Sequence, residues 1–283
     1  MKKEDTSRQQ EEGRELEKNS KFSALAWNII RREPKKIGDI LKKRFGISQK
    51  RTQTLEEIGK GYGVTRERVR QIISDSMRRI SACSQNDPLK EAEEKIILTI
   101  KENHGIISVT SLVESLSDGD EIEANSLIFF GVLSNQIIIV EEKGIIKKSW
   151  AIQEDVVKRV KEIDDIAKRI FQKENVLLSD EELVKKIFQE YKGSEEESNL
   201  SYQQILNFVH TLEQIKKNKL GKWGMAHWKE VRLKGTRERV YVALQEKGEP
   251  MHFSEIAKFI DTYNLWERKA HPQTVHNELI KDD

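Results

Sequence analysis

The chain has 283 residues and a formal net charge of +2, with 35% charged residues, 36% hydrophobic residues and four prolines, a composition that suits several small helix-rich domains with modest cores. Its only cysteine, Cys83, excludes intrachain disulfides and cysteine-rich zinc sites, and no apolar run approaches the roughly 20 residues that a membrane-spanning helix needs. Residues 1–20, MKKEDTSRQQEEGRELEKNS, hold no hydrophobic stretch, so they read as a solvated polar tail and not as a signal peptide. A cytoplasmic, reducing compartment fits the cysteine usage. The balanced charge hides an asymmetry. Residues 21–82 hold 16 Lys/Arg against 6 Asp/Glu, whereas residues 83–283 hold 29 against 36. One compact basic segment on a mildly acidic remainder is expected when a single part of the chain binds phosphates, with a merely solvated basic face as the competing reading.

Within that segment, residues 51–80 read RTQTLEEIGKGYGVTRERVRQIISDSMRRI. Thr54 with Glu57 three residues on forms a capping box that opens a short helix, with Leu55 and Ile58 facing inward. Gly61 and Gly63 are expected to break that helix and supply the tight turn of a helix-turn-helix at about residues 54–80. Val64 packs under the turn, and Thr65 caps the next helix. There Val69, Ile72, Ile73, Met77 and Ile80 fall on one apolar face. The opposite face carries Arg66, Glu67, Arg68, Arg70 and Gln71 from the first turn onward. A helix fits the DNA major groove with its N-terminal residues toward base edges. Arginine reads guanine, glutamine reads adenine and glutamate accepts from cytosine, so these five are the candidate base readers. Lys36, Lys60, Thr65, Arg78 and Arg79 are candidate phosphate contacts, which fix register without reading sequence.

TLEEIGKGYGVTRERVRQI resembles region 4 of bacterial sigma-70-family sigma factors, and PKKIGDILKKRFGI at 34–47 resembles the first half of that region. The resemblance covers about residues 22–82. It implies that the second helix reads the minus-35 promoter element of double-stranded DNA through Arg66, Glu67, Arg68, Arg70 and Gln71. It also implies that the amide near Thr54 and Leu55 holds a phosphate, and that RNA polymerase core, at its beta flap, is a partner. The chain departs from the family at Asp75, where a lysine is usual, and at Ile73, an added apolar residue that suggests further packing. Only a short polar tail precedes the segment, so the expectation is an accessory or atypical sigma-like factor.

After residue 90 a plan recurs with a period of about 70 residues. Helix, helix, helix and hairpin run through 90–152, and the same order runs through 154–232. GIISVTSLVESL, NVLLSDEELVKKI and EPMHFSEIAKFI align, as do Trp150 and Trp223 at matching wing positions. The segment 236–283, with RERVYVALQEKGEPMHFSEIAKFI and HPQTVHNELI, is similar to the HARE-HTH winged-helix family. That family includes the N-terminal domain of the RNA polymerase delta subunit. The sequence stops at Asp283, where the family's wing would start, which reads as an incomplete unit: a fragment is expected, with completion by a partner as the alternative. The first two units are expected to dock protein or act as spacers, and the third to contact polymerase or DNA. The fold class expected is mainly α: a region 4-like helix-turn-helix domain at 21–85, then tandem winged-helix-like units with small β-hairpin wings.

The six histidines are scattered without ligand spacing, and the acidic run within Gly193–Asn199 reads as a loop. Trp27, Ile30, Ile37, Leu41 and Phe45 form an apolar stripe that is more often core than docking face. No catalytic motif, metal site or cofactor site is present, so the chain is expected to bind rather than catalyse. A DNA-binding transcription factor is the leading reading. An ordinary regulator without polymerase contact, an interaction scaffold, and the recognition part of a restriction or defence system stay open beside it.

Overall fold

The structure is a computed structural model that describes residues 21–48, 51–83, 87–191 and 200–281. The polar tail and the Gly193–Asn199 loop lie outside the described residues. The fold is mostly helical, with two small sheets among the described residues. The chain divides into two compact units. Unit 1 runs to Ile139 and includes Trp150–Gln153; unit 2 comprises Val140–Ser149 and everything from Glu154 on.

Unit 1 opens with α1 (Phe22–Ile30), α2 (Lys35–Phe45), α3 (Leu55–Tyr62) and α4 (Arg66–Ala82). Gly46 ends α2 and Gly63 ends α3, both in the left-handed conformation that glycine adopts without a Cβ penalty. The winged plan follows in α5 (Asp87–Glu102), β1 (Ile106–Ser108), α6 (Val109–Leu116) and α7 (Glu121–Leu133). The hairpin of β2 (Ile138–Glu142) and β3 (Ile146–Ala151) begins and ends in unit 1 while its Val140–Ser149 belong to unit 2, and the sheet order is β1-β3-β2.

One apolar core serves both halves of unit 1. It runs from Phe22, Leu25 and Ile29 of α1 through Met77 and Ile80 of α4 to Ile96 of α5 and to Leu127, Phe129 and Phe130 of α7. The reason lies in α7. Its sequence, EIEANSLIFFGVL, is apolar nearly all round, so it is buried on most sides rather than along one stripe. Its Glu123 accepts from the Ser23 amide and hydroxyl, Asn125 Nδ2 donates to the Gly46 carbonyl at 3.4 Å, and the Leu133 carbonyl accepts from Ser81 Oγ at 2.6 Å. Helix α7 is thus occupied in holding α1, α2 and α4.

Unit 2 repeats the plan with α8 (Glu154–Glu174), α9 (Asp180–Glu190), α10 (Tyr202–Thr211) and a hairpin of β4 (Ile215–Lys217) and β5 (Trp223–Met225). The register pairs Ile215 with Met225 and Lys217 with Trp223. A single bridge, Leu178 to Trp223, stands where β1 stands in unit 1. Then come α11 (Thr236–Lys247), α12 (Phe253–Thr262) and α13 (Pro272–Ile280) around Val240, Ile256, Ile260 and Val275. The aligned repeats occupy equivalent places: Ser108, Ser179 and His252 are the N-caps of α6, α9 and α12, and Trp150 and Trp223 are buried on wing strands.

Candidate nucleic-acid interface

The helix-turn-helix is built on a small core of Ile40, Ile58 and Val69, with Leu55, Tyr62, Val64, Ile72 and Ile73 packed around it. Thr54 and Glu57 form the reciprocal capping box: the Glu57 amide donates to Thr54 Oγ1 at 3.2 Å, and the Thr54 amide donates to Glu57 Oε2 at 2.7 Å. Those bonds, backbone first, hold the Glu57 carboxyl below its usual range. Thr65 accepts from the Arg68 amide at 3.2 Å and so starts α4.

The turn is made differently from the sequence expectation. Gly61 lies inside α3, with open space where a Cβ would stand, and does not break the helix. Gly63 alone turns the chain, at φ +66. The glycine that the crossing requires is Gly59, where a Cβ would lie 2.6 Å from the Val64 carbonyl oxygen. A signal exists in the sequence: Gly59 sits next to Ile58 on the inward face of α3, where a small residue allows two backbones to approach.

Helix α4 has two parts. Its first turns rest Val69 on the small core and expose Arg66, Glu67, Arg68, Arg70 and Gln71. Its last turns bury Met77 and Ile80 in the core shared with α7. Ile73 packs against both cores.

The exposed face is a network. Arg70 grips Glu67 with two bonds, Nε to Oε2 at 2.9 Å and Nη2 to Oε1 at 2.7 Å. Gln71 Nε2 donates to Glu67 Oε1, and Arg68 Nη1 donates to Gln71 Oε1, both at 3.4 Å. The paired charges lower the pKa of Glu67 and raise that of Arg70, mainly through these hydrogen bonds. Four of the five candidate readers thus hold one another, and Arg66 stands beside them, exposed.

The candidate phosphate contacts fall into distinct settings. Lys60 pairs with Glu56 at 3.0 Å, and Arg78 with Asp75 at 3.0 Å, all of them exposed. Arg79 reaches instead to Glu33, at 3.0 Å, and so ties α4 to the loop between α1 and α2. Lys36 stands over the Tyr62 ring at 5.6 Å. The Thr54 amide is taken by Glu57, which leaves the Leu55 amide at the start of α3. Sequence reasoning misses Arg51. Its Nη2 lies 2.8 Å from Glu57 Oε1, which places a cation at that same helix start.

The apolar stripe of the first helices is mostly core. Ile30 and Leu41 are buried, Ile37 and Phe45 pack on the shared core, and Phe45 meets Phe129 edge-on at 5.1 Å. Only Trp27 stays 46% exposed, under Lys42 Nζ at 3.9 Å from its ring centre.

A two-helix unit with a capped, cation-bearing second helix defines a helix-turn-helix module. Residues 38–82 match the family described as sigma-70, region 4. The same part of the chain is similar to RNA polymerase sigma factor SigA of a Bacillus species, 47% identical over 53 residues, and to SigA of Listeria monocytogenes, 45% identical over 53 residues. Each alignment covers 19% of this chain and 14% of the relative. The likeness supports a sigma-factor-like DNA-binding role for this segment. No helix among the described residues is long and apolar enough to cross a membrane.

Proposed function

We propose that the chain binds double-stranded, promoter-like DNA through α4 and works in bacterial transcription, in the cytoplasm, by binding rather than by catalysis. One observation carries this reading: the exposed Arg66–Gln71 face of α4 lies within the stretch that matches sigma-70 region 4. Arg66, Arg68 and Arg70 donate to guanine edges, Gln71 pairs with adenine and Glu67 accepts from cytosine. In the free protein Glu67 holds Arg70 in place, and an exposed pair of this kind opens at little cost. Lys36, Lys60, Thr65, Arg78 and the Leu55 amide hold phosphates on either side.

RNA polymerase core, at its beta flap, is the protein partner in this reading. A second reading, a DNA-binding regulator without flap contact, draws support from the packing of Ile30, Ile37, Leu41 and Phe45 against the core that α7 completes. A gel shift with added core polymerase separates the two. A supershift that is lost in Trp27→Ala supports polymerase contact through the exposed edge of the stripe. Sequence-specific binding that polymerase leaves unchanged supports the second reading. Equal binding to promoter and scrambled duplexes sinks both.

A further inference from the structure

Outside the region 4-like segment at 21–85, the densest basic stretch lies in unit 2. Residues 215–235, from the start of β4 to the residue before α11, hold seven Lys/Arg and one Glu, a net of +6 within a remainder (83–283) that is acidic overall. This stretch folds as the β4–β5 hairpin and a strap that follows it. The hairpin turn is pinned to the strap by Asn218 Nδ2, which donates to the Glu230 carbonyl at 3.3 Å.

Arg239 then clasps the strap to a second basic segment. Its guanidinium donates to the Leu233 carbonyl at 3.0 Å and the Lys234 carbonyl at 3.3 Å on one side, and to the Leu265 carbonyl at 3.0 Å on the other. It stacks on Trp266 at 4.7 Å, and Arg268 stacks on the same ring at 4.4 Å. Lys219 of the hairpin turn donates to the Asn264 carbonyl at 2.9 Å. The hairpin turn and the strap that follows it are thereby drawn together with the sequence-distant loop 264–271 that leads into α13. Lys219, Arg232, Lys234, Arg268 and Lys269 are all exposed there. No carboxylate pairs with Arg232, Lys234, Arg268 or Lys269 among the described residues. Glu267 is the exposed acid beside them, and Glu230 is partly buried under the turn.

We propose that this band is a second DNA contact, which holds the phosphate backbone of duplex DNA independently of the α4 reading. Bringing like charges together is unfavourable in the free protein, and a row of phosphates relieves it. The helix next to the band, α13, exposes Gln273, Thr274 and Asn277 near its start, polar groups able to follow a groove wall rather than enter a lipid surface. Duplex fits better than single strand. Single-strand sites offer open aromatic faces for base stacking, whereas the ring of Trp266 is already taken by two guanidinium groups.

The test is a salt titration of full-length protein on promoter and scrambled duplexes. Lys234→Ala/Arg268→Ala/Lys269→Ala should weaken binding to both duplexes by the same factor. It should also flatten the slope of log affinity against log salt by about 0.9 for each phosphate that is no longer neutralised, while the preference between duplexes stays as in wild type. The charge-keeping Lys234→Arg/Arg268→Lys/Lys269→Arg should retain the wild-type slope, which separates charge from packing on Trp266. An unchanged slope in the alanine variant overturns the proposal, as does tighter binding to single-stranded DNA or RNA than to duplex. If α4 does not read sequence, the preference is absent in wild type but the band's contribution to the slope persists, so the two failures are distinguishable.

Discussion

Glu123 of α7 caps α1: its carboxylate accepts from the Ser23 backbone amide at 3.2 Å and from the Ser23 hydroxyl. No side chain of α1's own N-cap, Lys21, performs this task. The helix that opens the region 4-like segment therefore starts on a residue a hundred positions away. Glu123→Ala should destabilise unit 1 by about 0.5–2 kcal/mol, the usual cost of removing a helix cap. Chemical denaturation followed by the fluorescence of Trp27 and Trp150 measures it. An unchanged midpoint would mean that α1 does not depend on α7.

The turn predicts a contrast between two neighbouring glycines. Gly59→Ala drives a methyl group toward the Val64 carbonyl and should cost about 1–3 kcal/mol, the range for overpacking. Gly61→Ala meets open space in a helix and should stabilise by about 0.5–1 kcal/mol. Thermal unfolding of the two variants checks the order; equal effects would contradict the crossing described for α3 and α4.

Arg78 and Arg79 are adjacent but do different work. Arg78→Ala should flatten the salt slope of DNA binding by about 0.9, as expected for one phosphate contact. Arg79 is committed to Glu33, so a double-mutant cycle of Arg79→Ala and Glu33→Ala should give a coupling of about 0.2–1 kcal/mol in stability. A salt slope altered equally by both arginine variants would show that the Glu33 pair opens on DNA.

In unit 2, burial raises the Asp164 carboxyl above its ordinary 3.8, and the bond from Lys168 only partly offsets this. A carboxyl whose folded pKa is raised favours the fold while protonated and loses that advantage as pH rises through the window above 3.8. Asp164→Asn should therefore gain stability relative to wild type as pH climbs through that window. Urea denaturation across mildly acidic to neutral pH reads the difference. A difference that shrinks with rising pH would show that the Lys168 pair outweighs burial.

Local signals in the sequence suffice for much of this molecule. The Thr54–Glu57 box, the Thr65 cap and the mainly α class with hairpin wings all follow from short-range spacing, and all are present. Long-range partners are not legible. Nothing in the composition of α4 says that Arg79 meets Glu33 or that Ile73 serves two cores. The all-round apolar character of α7 marks it as buried, but not which helices bury it. Gly59 is masked by two glycines nearer the turn, and only a close-approach distance tells the three apart. The Arg239 clasp lies beyond sequence reading for the same reason, since its acceptors are backbone carbonyls about 5 and 26 residues away.

Whether α4 reads base sequence decides the function proposed for this chain. The most direct measurement is the affinity of wild type and of Arg68→Ala/Arg70→Ala for a minus-35-containing duplex and a scrambled one, each across a range of salt. Wild type should prefer the minus-35 duplex. The double variant should give up about 1–3 kcal/mol of that preference for each base contact removed. Equal binding of both proteins to both duplexes would contradict base reading by α4.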